Sequence, residues 1–152
     1  MKKIALLAKI AFVALLILGM SANTFAQKGE KKAKTEKVIE RPGIVGHAAT
    51  DKFVDSSFDV YERNIKLTEK LSNAAGNATE IKSIKNDLEN QTNEVKGLLG
   101  QSADVMKEAK TITPKTNSMK AVKAINSATK ALNMTKENFP IQLEQIKNQE
   151  SK

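Results

Sequence analysis

The chain has 152 residues, 40% apolar and 28% charged, with a formal net charge of +8, one histidine, no tryptophan and no cysteine. That is material for one packed core stabilised without disulfides, and it excludes thiol catalysis and thiolate metal sites. A single histidine also excludes a histidine pair on a metal, or a dyad of two histidines, within one subunit.

Lys2 and Lys3 precede an apolar run from Ile10 to Leu18, and Thr24-Phe25-Ala26 offers a small-residue cleavage site. This pattern resembles a bacterial Sec leader, which implies export of the remaining chain to the periplasm or the exterior. The apolar run is roughly half of the ~20 residues that a membrane-spanning helix requires, so cleavage is expected over retention as an anchor. A signal peptide over 1–26 leaves 126 residues, and loss of Lys2, Lys3 and Lys9 lowers the net charge to about +5. No cysteine is present to carry a lipid.

Gln27 to Arg41 holds six basic and three acidic residues with almost no apolar content. Too little surface is available for burial to offset the entropy of ordering, so 27–43 is expected to be a disordered basic arm closed by Arg41-Pro42-Gly43. Such an arm serves as a solvated tether, or as a contact with an anionic membrane surface.

The remainder, 44–152, is predicted to be an all-α domain. A first helix over 51–75 is expected, with Thr50 as N-cap and Gly76-Asn77 as its stop. Val54, Phe58, Tyr61, Ile65 and Thr68 share its apolar stripe. Phe53, Phe58 and Tyr61 read as a core plug at one end. The second helix, 79–112, carries Ile81, Ile84, Leu88, Gln91, Val95, Leu98, Ser102, Val105, Ala109 and Ile112 in a three-four rhythm. A seam of about four heptads predicts coiled-coil-like packing against other helices. Gln91 and Ser102 interrupt it, either setting register or reaching solvent at its edge. Gly97 and Gly100 weaken the helix, and their place in the seam suggests close helix contact or a kink.

Thr113-Pro114 reads as a cap followed by proline at the first helical position. The third helix, 114–138, carries Val122, Ile125, Thr129 and Leu132 on its stripe, flanked by Ala121, Ala124, Ala128 and Ala131. Lys136 then falls into the seam ahead of Phe139-Pro140, which predicts a register break and either a kink or a separate helix over 140–149. The expected fold is an antiparallel three-helix bundle, or a short four-helix variant.

Two polar groupings are candidates for function. Asp51, Asp55, Asp59 and Glu62 form a ridge beside the first apolar stripe, a candidate weak cation site. A ridge on one straight helix supplies only part of a calcium cage, and acids there also complement the helix dipole and pair with lysines of a neighbouring helix. Lys120, Lys123 and Lys130 project from the third stripe as a candidate face for an anionic partner. From Ala109 to Lys136 there are six lysines and no acid, whereas Pro42 to Glu108 has eight basic and eleven acidic residues. Nucleic acid is an unexpected partner, because exported residues include only two arginines, Arg41 and Arg63, and four aromatics concentrated in the core.

His47 lies in a loop and has no second histidine to work with. No GxSxG, P-loop, HExxH or dinucleotide fingerprint is present, so no enzyme and no cofactor are expected. The reading is a non-enzymatic exported bundle that acts through its surface on a protein or envelope component. The alternative is a periplasmic carrier or sensor that takes a small apolar or anionic ligand between helices, with Gly97, Gly100, Gln91 and Ser102 providing room or polarity. Heptad seams also allow self-association into a homo-oligomer.

Overall fold

A computed structural model describes residues 38–74 and 77–150. The predicted signal peptide and most of the predicted arm lie outside the described residues. Three helices follow: α1 over Ala48–Asn73, α2 over Ala78–Thr111 and α3 over Lys115–Glu150. Each packs on both others, no strand occurs among the described residues, and the helices belong to one unit that begins at Ile39.

The direction of the rods follows from which side chains meet. Asn64 on α1 bonds Gln91 on α2 and Gln142 on α3, and Gln149 donates to the Leu71 carbonyl at 2.9 Å. Residues of α1 and α3 therefore pair at a constant offset of 78 and run parallel. Lys85 meets Glu150 while Gln91 shares Asn64 with Gln142, so α2 runs against both. The result is an up-down-up bundle.

The first helix starts three residues earlier than predicted. Thr50 is not its cap but a buried helical residue; the cap is His47, in extended backbone, whose Nδ1 accepts from the Thr50 amide at 3.4 Å. An imidazole with an unprotonated ring nitrogen satisfies an orphan amide of the first turn as a capping hydroxyl would. Asp51 reaches back to the amides of Val45 at 2.8 Å and Gly46 at 3.0 Å. Gly46 has φ +83, a conformation that side-chain-bearing residues adopt at a cost of roughly 1–2 kcal/mol. Asn77 caps α2 by accepting from the Glu80 amide at 3.2 Å. At α3, Pro114 precedes the first helical residue and offers its carbonyl to Asn117 at 2.9 Å, rather than occupying the first helical position.

Most of the second predicted seam is buried: Ile81, Ile84, Leu88, Gln91, Val95, Leu98 and Ala109 line the core, whereas Ser102, Val105 and Ile112 are half-buried. The stripe of α1 is wider than predicted. Val54, Phe58 and Tyr61 are buried, but its line continues through Asn64, Leu67 and Leu71, leaving Ile65 and Thr68 at the edge. The aromatic plug is present, with Phe58 and Tyr61 edge to face at 6.1 Å.

In α3 the alanines are the centre of the stripe, not its flank. Ala121, Ala124, Ala128 and Ala131 are buried alongside Ile125 and Leu132, while Val122 and Thr129 are half-buried. The offset of 78 places Phe53 at the height of Ala131, so at that level a large ring on α1 is set against a small side chain on α3. Alternating large and small residues across facing helices fills the space without strain. No register break occurs at Lys136. Thr135 takes the core place and Lys136 stays exposed, and the stripe continues through Phe139, Gln142 and Ile146, with Leu143 turned outward.

The predicted split at Pro140 is absent, because α3 is continuous through it. A proline leaves the carbonyl four residues earlier without its helical partner. Here both Pro140 and Lys136 are on the exposed side of the helix, and the buried residues on either side, Thr135, Phe139 and Gln142, hold it together across the missing bond.

Candidate functional site

The acidic ridge is occupied by part of the chain itself. Arg41 lies before α1 and reaches Asp55 at 3.5 Å, Glu62 at 3.1 Å and Asp59. The guanidinium sits 5.8 Å from the centre of the Phe58 ring. Next to it, the Ile39 amide donates to the Tyr61 hydroxyl at 3.2 Å, and the Ile39 side chain packs on the core. The end of the predicted arm is thus not a free tether: from Ile39 it is strapped along α1, because a fork of guanidinium donors matches three carboxylates on successive turns. The hydrogen bond to Asp59 raises the Arg41 pKa above its ordinary value, against a smaller opposing effect of burial.

The four ridge acids consequently divide. Asp55, Asp59 and Glu62 hold Arg41 rather than lysines of a neighbouring helix, and Asp51 holds the loop amides before α1. Among the described residues no group of three or more His, Cys, Asp or Glu is placed to hold a metal ion.

A second polar group lies in the middle of the bundle. Asn64 Nδ2 donates to Gln91 Oε1 and to Gln142 Oε1, both at 3.1 Å, and Gln142 Nε2 donates to the Thr68 hydroxyl at 2.8 Å. All three amides are buried, and Asn64 Oδ1 finds no protein partner. One amide from each helix converges on one height, which fixes the axial register of all three rods. Gln91 therefore does not reach solvent. Asn64 and Gln142 were missed by the sequence reading, although each sits three residues from a core aromatic, Tyr61 and Phe139.

Lys120, Lys123 and Lys130 are exposed on α3, and among the described residues no acid pairs with any of them. Helical spacing puts Lys115, Met119, Lys123 and Lys130 along the outermost line, with Lys120 on its shoulder. Met119 is 54% exposed, an apolar side chain in the midst of unneutralised ammonium groups. Ion pairs between the helices lie elsewhere: Arg63 with Glu94 at 2.6 Å joins α1 to α2, and Lys85 with Glu150 joins α2 to α3.

Gly97 and Gly100 do not create internal room. A β-carbon at either would meet nothing within 4 Å, so both face open space. Among the described residues, the surface carries a shallow groove of about 280 Å³ between α2 and α3, lined by Thr92, Val95, Lys96, Leu99, Lys136 and Phe139. No helix of the described residues is long and apolar enough to cross a membrane. Comparison with known protein families, characterised proteins and solved structures gives no match to the chain.

Proposed function

We propose that this protein is exported after removal of its lysine-led leader and works without catalysis, as an envelope-associated helical bundle that docks on an anionic surface. The observation that supports this is the outer face of α3, where Lys120, Lys123 and Lys130 stand exposed around Met119 with no acid partner among the described residues. Lysines whose charge is left over after internal pairing raise the local potential and attract a polyanionic surface over about a Debye length, ~10 Å at 0.1 M salt. An exposed methionine in their midst adds apolar contact once the surface is reached. The lysine-rich residues before Ile39 add to the same attraction.

Co-sedimentation with lipid vesicles tests the reading. The protein is expected to bind vesicles containing phosphatidylglycerol and not vesicles of phosphatidylcholine alone, with binding lost as salt rises. Each lysine near an anionic surface is worth about 1 kcal/mol, so the triple variant Lys120→Glu, Lys123→Glu, Lys130→Glu is expected to bind at least 100-fold more weakly. Equal binding to neutral vesicles, or a triple variant that binds like the parent, contradicts the proposal.

A further inference from the structure

The groove between α2 and α3 combines two properties that rarely coincide on a lysine-rich surface. Its floor is apolar: Val95 and Phe139 are buried beneath it and Leu99 forms a half-buried wall. Thr92 is the one uncharged polar side chain lining it, and its hydroxyl already donates to the Leu88 carbonyl at 2.7 Å. The floor thus presents no free hydrogen-bond donor for a sugar or a nucleotide. Its rims carry Lys96 from α2 and Lys136 from α3, both exposed and neither paired with an acid among the described residues.

An apolar trough between two cations selects a ligand with one alkyl chain and one anionic head. A neutral hydrocarbon leaves the ammonium groups unused, and a compact anion leaves the floor wet. The volume of about 280 Å³ is on the order of nine water volumes, which suits a single alkyl segment and is too small for a two-chain phospholipid. Leu143, 40% exposed and two turns beyond Lys136 on the same side of α3, extends the apolar surface past Phe139. We propose that this groove binds a single-chain alkyl carboxylate, its chain over Val95, Leu99 and Phe139 and its carboxylate between Lys96 and Lys136. The site is separate from the outer lysine face, since Lys120, Lys123 and Lys130 do not line it.

Isothermal titration of the full exported chain with octanoate, decanoate and decanol, each below its aggregation limit, tests this. Decanoate is expected to bind about fifteenfold more tightly than octanoate, because each buried methylene contributes about a factor of four. Decanol, with the same chain and no charge, is expected to bind at least tenfold more weakly than decanoate. The variant Lys96→Glu, Lys136→Glu changes only exposed side chains; it is expected to keep the helical circular dichroism spectrum and to lose decanoate binding. The triple variant at Lys120, Lys123 and Lys130 is expected to retain decanoate binding, which separates failure of this site from failure of the surface reading. Decanoate binding unchanged in the Lys96/Lys136 variant overturns the proposal. So does a concentration-dependent dimer that the same variant abolishes, which would assign the groove to a second copy of the chain.

Discussion

Asn64 is one amide serving three helices, and its removal is more damaging than its size suggests. Truncation to alanine strands the Gln91 and Gln142 carbonyl oxygens in a buried site. Each unsatisfied buried group costs roughly 1–3 kcal/mol, so Asn64→Ala is expected to lower stability by about 2–3 kcal/mol, read from the urea midpoint. Replacing the whole group by Asn64→Leu, Gln91→Met and Gln142→Met has the opposite sign. That variant is expected to be as stable as the parent or more so, because no polar group is stranded, while its amide NMR spectrum loses dispersion as the register loosens. A triple variant that keeps the parent's full amide dispersion would contradict the register role. Arg41 also acts as one residue with several partners. Its pKa is raised in the folded state, so the attraction it supplies is complete at every pH below arginine's own titration and is lost only above it. On the guanidinium side, the strap is therefore insensitive to pH over the physiological range.

At the scale of the element, periodicity carried most of the architecture and erred by single positions. Helix α2 was legible nearly throughout, because its buried residues are large and apolar at regular steps from Ile81 to Leu98. Helix α3 was harder, because its core line is made of alanines that are equally at home on a surface, so the larger Val122 and Thr129 pulled the predicted stripe toward its edge. That displacement carried Lys136 into a seam that Thr135 fills, and it made Pro140 look like a break. The strap before α1 was illegible for another reason: charge composition shows that Arg41 is basic, but not that three acids 14 to 21 residues later lie within its reach. Of the polar triad, Gln91 alone was legible. Gly97 and Gly100 stand in α2 with open space where a β-carbon would go. Alanine at each position is expected to stabilise the bundle by about 0.5–1 kcal/mol, seen as a higher thermal midpoint. Destabilisation by either change would mean that the backbone at that turn is held close to another surface.

For the molecule as a whole, charge is sorted by helix. On α1, Asp55, Asp59 and Glu62 are taken by Arg41 and Asp51 by loop amides, Glu94 is taken by Arg63 and Glu150 by Lys85, whereas the first half of α3 keeps its lysines unneutralised. The core between the helices is continuous, and its Asn64, Gln91 and Gln142 amides bond one another inside it. The largest local excess of base over acid lies on the first half of α3, with five lysines and no acid from Lys115 to Lys136, and it is there that we propose an anionic surface docks. Hydrogen exchange measured by mass spectrometry, with and without phosphatidylglycerol vesicles, tests this most directly. Slowed exchange is expected in the first half of α3, about residues 115–136, at low salt, and is expected to disappear at high salt. Protection centred on α1 or α2, or none in α3 while the protein is vesicle-bound, would contradict it.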